Sequence, residues 1–143
     1  MATLSARFSR ALRALENDRD LQPLIQLFAD DAEVSNPLHP LPLVGLEGVR
    51  RYWRSYLERF CEIRSEFLSF VDAREASALE WISTGRLING RAIEFGGSTV
   101  LISQDELITR MNLYFDPRPL LEVVRREPTP MRRAADASGR KSA

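Results

Sequence analysis

The chain has 143 residues, 20 Lys and Arg balanced by 20 Asp and Glu, one cysteine and one histidine. That length suits one domain around a single core, and zero net charge gives no global attraction to nucleic acid or an anionic membrane. Cys61 alone rules out an internal disulfide, which fits a reducing, cytoplasmic setting, and Cys61 with His39 alone rules out a His/Cys metal site within one chain, leaving only carboxylate sites open.

No uncharged stretch approaches the ~20 apolar residues of a membrane span. The N-terminus carries Arg7, Arg10 and Arg13 among serines, faintly like a transit peptide. Leu4, Phe8, Leu12 and Leu15, however, fall on one helical face and predict an amphipathic helix of the domain from about Thr3 to Glu16. After Asn17-Asp18-Arg19, Asp20 is placed to cap a second helix whose buried face is Leu21, Leu24, Ile25 and Phe28, ending at Asp30-Asp31. A short extended piece from Ala32 to Asn36 leads into Pro37–Pro42, where three prolines in six residues exclude helix or central strand and predict a stiff loop. Gly45 to Gly48 opens a third helix, in which Val49, Tyr52, Trp53, Tyr56, Leu57 and Phe60 recur at steps of three and four.

The period then changes to two. Strands are predicted over Ile63–Asp72, Ala78–Ile88, Arg91–Ile102 and Leu107–Phe115. Asn89-Gly90 reads as a type I′ hairpin turn, and Gly96-Gly97 as a bulge or sharp bend. In the last strand Leu107, Thr109, Met111, Leu113 and Phe115 share one face, opposite Ile108, Arg110, Asn112 and Tyr114. From Arg125 onward large apolar residues nearly vanish and arginines dominate, so residues 1–124 are expected to form the domain and 125–143 a disordered basic tail.

Helices followed by a strand meander give an α+β order: a curved antiparallel sheet packed on about three helices as a half-open cone enclosing an apolar pocket. This order, the run Phe28 to Pro37 (FADDAEVSNP), Gly45 with the third helix, and the run Leu107 to Pro117 (LITRMNLYFDP) resemble the nuclear-transport-factor-2-like superfamily, which shares the cystatin-like cone, and within it the SnoaL-like proteins. The likeness spans about residues 8 to 119. It implies fold more firmly than chemistry, because the superfamily holds isomerases, cyclases, dehydratases, epoxide hydrolases and plain binding domains.

The family's catalytic positions are largely empty here. Ketosteroid isomerases need a carboxylate base just before the proline of the first run, where this chain has Asn36, an amide without useful basicity. Their two oxyanion donors map to Leu12 and Ser98, and their supporting tyrosines to Phe28 and Trp53. Against the epoxide hydrolases, Asn36 fits the asparagine, but Val34 replaces the tyrosine and Leu113 the final aspartate. Cyclases of the SnoaL type rely on an acidic residue in the strands, and Glu94 is the carboxylate expected to point inward from the third strand.

The candidate catalytic set is therefore Glu94 as acid or base, with Asn36 and Ser98 as hydrogen-bonding partners. Each has a plainer reading: Glu94 as an outward carboxylate beside an arginine, Asn36 as a turn residue before Pro37. The pocket is expected to be lined by Leu12, Phe28, His39, Trp53, Tyr56, Ile82, Met111, Leu113 and Phe115. No metal or organic cofactor is implied. The expected ligand is a small hydrophobic molecule, acted on by a cofactor-independent isomerase, cyclase or lyase, or else held without chemistry by a binding or dimeric adaptor domain. The expected partner is a second copy, joined through Arg110, Asn112 and Tyr114 on the convex sheet face.

Overall fold

A computed structural model describes residues 2–121, so the boundary at 124 and the basic tail lie outside the described residues. Helix α1 (Leu4–Asp18) begins at Thr3, whose hydroxyl accepts from the Ala6 amide, and its apolar stripe of Phe8, Ala11, Leu12 and Leu15 is buried. Its C-terminus is closed by Arg19 in the left-handed region (φ 57°). Helix α2 (Gln22–Ile25) is a single turn, with Pro23 in its tolerant start. The chain then enters β1 (Phe28–Asn36), so Phe28 to Asp31 are strand, not the end of a longer helix.

The proline segment is a second correction. Strand β2 (His39–Val44) pairs antiparallel with β1 and forms one edge of the sheet, where a missing backbone donor is tolerated. Helix α3 (Gly45–Arg59) follows, with Val49, Tyr52 and Trp53 fully buried. Strands β3 (Phe60–Asp72), β4 (Ala76–Leu87), β5 (Ala92–Gln104) and β6 (Leu107–Phe115) complete a six-stranded sheet in the order β2-β1-β6-β5-β4-β3. The sheet is mixed rather than wholly antiparallel, because β1 runs parallel to β6. The helices pack on one face, and the fold is α+β.

Two glycine signals, Asn89-Gly90 and Gly96-Gly97, are realised differently from the sequence reading. At Asn89-Gly90 only Gly90 has positive φ (89°), and the Gly90 amide donates to Leu87, so this is not a type I′ turn. Positive φ at both central positions occurs instead at Asp105 (52°) and Glu106 (66°), between the paired Gln104 and Leu107. Gly96-Gly97 carries no register shift against β4 or β6. A Cβ on Gly97 would stand 2.3 Å from the Tyr114 carbonyl oxygen, so the glycine there permits close approach. The bulge sits in β6 at Thr109: Ile102 pairs with Arg110 and Ser103 with Ile108. It turns Ile108 into the core beside the sequence-predicted inward Met111.

Beyond β6, Asp116 accepts from the Arg118 amide, a helical turn spans 118–121, and Leu120 is buried against Phe60, Ile63 and Leu87. The core is thereby divided. A large cluster joins α1, α2 and α3 to β1 and the inner faces of β4 to β6, and a smaller one gathers around Phe60 and Leu120. No helix among the described residues is long and apolar enough to cross a membrane.

Candidate functional site

Between the two clusters lies a narrow cavity, lined from α1 by Phe8 and Leu12, from α3 by Tyr52, Trp53, Tyr56 and Arg59, and from the sheet by Trp81, Phe95, Thr99, Leu113 and Phe115. Asn36, Leu38 and His39 line it from the β1–β2 hairpin, and Leu120 from the terminal turn. Its empty volume, open mouth included, is about 640 Å³. That is room for a few waters or one slim organic molecule.

Strand alternation decides who enters. On β4 the inward residues are Ser77, Leu79, Trp81, Ser83 and Leu87, and on β5 they include Phe95, Thr99 and Leu101. Glu94 pairs with Thr84 on the other face and is exposed. Ser98 pairs with Glu80, and Ile82 with Gly96, on that same outer face. The structure thus separates Glu94, Ser98 and Ile82 from the cavity. Facing inward beside Ser98 is Thr99, whose hydroxyl accepts from the Trp81 indole at 2.9 Å. Phe28 and Met111 are buried in the large cluster and do not line the cavity. The structure brings together Leu12, Asn36, His39, Trp53, Tyr56, Leu113 and Phe115.

Asn36 combines two roles. Its side-chain oxygen accepts from the Leu38 amide at 2.8 Å, which fixes the turn into β2, and its amide donates to the Tyr52 hydroxyl at 3.1 Å. Burial raises the pKa of Tyr52 well above the ordinary phenol range, against the Asn36 bond and the charge of Arg59, which lower it. Tyr56 is also pushed far up, first by burial and then by the Glu16 carboxylate to which it donates at 2.6 Å. Both phenols therefore stay protonated at neutral pH.

Glu16 was not singled out by the sequence reading. It stands behind the cavity wall, where it accepts from Tyr56, from the Ser65 amide at 2.8 Å and from the Ser65 hydroxyl at 2.7 Å. Ser65 in turn meets Ser83 at 2.7 Å. This network ties α1, α3, β3 and β4 together around one carboxylate. One buried polar atom has no partner among the described residues: Trp53 Nε1. Its ring lies edge to face with Tyr52 (5.0 Å) and with Tyr56 (5.4 Å). No group of three or more His, Cys, Asp or Glu able to hold a metal occurs among the described residues.

An α+β cone closed by a three-helix face over a mixed sheet, with its cavity at the helix–sheet junction, defines the class. The chain belongs to the SnoaL-like domain family, whose model matches residues 8–111. Among solved structures it is similar to a provisionally named isomerase from Rhodopseudomonas palustris, with TM-score 0.74 and 20% identity over 87% of this chain and 97% of that one. AclR, a provisionally named hydroxylase from Streptomyces galilaeus, matches with TM-score 0.68 and 18% identity over 89% and 95%. TerC co-crystallised with polyporic acid matches with TM-score 0.70 and 15% identity over 85% and 95%. At these identities the likeness is one of fold. No curated protein matches the sequence.

Proposed function

We propose that this SnoaL-like domain binds a small, largely apolar molecule in the cavity beneath α3, and that it holds the molecule without an active-site carboxylate. The observation that carries this reading is the composition of the wall: no Asp or Glu among the described residues lines the cavity, while aromatic and aliphatic side chains dominate it. Such a wall favours burial of apolar surface, worth roughly 25 cal/mol per Å². It offers no carboxylate for proton abstraction. Asn36 stands where a base would be, and both of its ends are engaged. The crystallisation of TerC with polyporic acid supports the view that this fold can hold a small molecule.

A second reading, proton-transfer catalysis, is favoured by one residue. His39 lines the cavity with its ring centre 6.1 Å from that of Tyr52, and an imidazole ring has one nitrogen that can accept a proton and one that can donate it. A single probe separates the readings. Calorimetry with 1-indanone is expected to give saturable binding. In D₂O its α-protons are expected to exchange no faster than in buffer. Absence of binding overturns the proposal. Accelerated exchange that is lost in His39→Gln establishes the catalytic reading instead. We further propose that the uncovered outer sheet face, with Arg110, Asn112 and Tyr114, is the contact between two copies of the chain.

A further inference from the structure

The cavity wall is unbalanced in a way that selects a ligand. Trp53 is fully buried, its ring lines the cavity, and its Nε1–H donates to nothing among the described residues. An orphaned buried donor is costly, typically about 1–3 kcal/mol, and native folds rarely keep one without a use. The preceding residue, Tyr52, also lines the cavity. Its oxygen accepts from Asn36, and no bond among the described residues uses its own hydroxyl proton. That proton stays in place because burial holds the phenol far above its ordinary range. The other cavity-lining indole, Trp81, is already satisfied by Thr99, and the Tyr56 hydroxyl by Glu16. Two cavity-lining residues whose ring centres lie 5.0 Å apart thus each carry a donor that no described residue receives, in a wall with no carboxylate among the described residues.

We infer that the cavity recognises a hydrophobic molecule through a carbonyl oxygen, which accepts from Trp53 Nε1–H and from the Tyr52 hydroxyl. A carbonyl oxygen carries two lone pairs and can take both donors. Asn36 is a positioning residue: by donating to the phenol oxygen, it turns the phenol's proton away from itself. These donors come from α3, not from the α1 and β5 positions that serve the family's isomerases, which here are Leu12 and the outward Ser98. The inference rests on the binding reading above and adds to it the chemical class of the ligand.

The test compares 1-indanone with indane, the same bicyclic skeleton without the carbonyl, on the full chain. Calorimetry is expected to show 1-indanone binding at least tenfold more tightly, a difference of about 1.4 kcal/mol. Tyr52→Phe is expected to narrow that ratio. Should that variant fail to fold, a proton–nitrogen spectrum of the wild type supplies the second readout. There the Trp53 indole signal, assigned through its contacts with the Tyr52 and Tyr56 rings, is expected to move downfield with 1-indanone and not with indane. The Trp81 indole signal serves as the internal control. Equal affinity for the two compounds, or an unmoved Trp53 indole, overturns the carbonyl inference while leaving the binding reading intact. Failure of both compounds to bind removes the binding reading and this inference together.

Discussion

Asn36 shows how much of the site's chemistry turns on a single atom. Replacing its amide by a carboxylate, Asn36→Asp, puts a base at the family's position. The new carboxylate would accept from the Leu38 amide and draw the Tyr52 proton toward itself, and both bonds lower its basicity. No oxyanion donor stands at Leu12, Ser98 faces away, and with the Tyr52 proton drawn to the new carboxylate only Trp53 Nε1–H remains for a ligand carbonyl. Each missing donor costs about 2.7–4 kcal/mol of transition-state stabilisation. Neither wild type nor Asn36→Asp is therefore expected to conjugate a β,γ-unsaturated ketosteroid, followed by ultraviolet absorbance, and efficient turnover by either would contradict the site described. Asp72 offers a test of another kind. Its carboxylate accepts from the Ser5 amide and hydroxyl at the start of α1 and from Ser77 on β4. Burial is the largest single influence and raises its pKa, but these bonds together outweigh it and hold it below the ordinary 3.8. A carboxyl depressed in the fold contributes stability above its unfolded pKa and loses it as pH falls through the folded value. The melting temperature of Asp72→Asn should therefore lie below that of wild type at pH 6, with the gap closing below about pH 4. A gap independent of pH would show that the charge plays no part.

Among the elements, the glycines make the sharpest contrast. Gly90 has positive φ with open space around it, so Gly90→Ala meets only backbone strain, of roughly 1–2 kcal/mol. Gly97 has ordinary φ, but an added Cβ would collide with the Tyr114 carbonyl and press on Phe115 and Trp81 in the cavity wall. Gly97→Ala is expected to lower the melting temperature well beyond Gly90→Ala, and the reverse order would refute the packing at the β5–β6 seam. These elements also show what was legible in the sequence. The α3 stripe and the inward set Met111, Leu113 and Phe115 follow from local periodicity. The early exit from α2 into β1 does not, because β1 gains its partner β6 from about 80 residues downstream. The Thr109 bulge carries no strong local signal. Glu94 did carry one: Ile93 and Phe95 claim the inner face, so strict alternation sends the residue between them outward. Glu16 was hidden because its partners lie 40 and 49 residues away.

For the whole molecule, a sheet covered by helices on one side leaves the other side bare. Val71 (65% exposed), Tyr114 (56%) and Leu68 (51%) belong to that surface, with Ile82 and Ser98 beside them. Such a surface gains by pairing with its own copy about a two-fold axis. Sedimentation at micromolar concentration is expected to show a dimer that Tyr114→Asp dissociates, and a monomeric wild type would sink the proposal. The central claim concerns the other side of the sheet. It is tested most directly by titrating 1-indanone into the nitrogen-15-labelled protein and mapping the shifted amides. Shifts concentrated at Leu12, Leu38, Thr99 and Leu113, around the cavity, are the predicted result. Saturable shifts confined to the outer face, at Glu94, Ser98 and Tyr114, or no shifts at all, would contradict it.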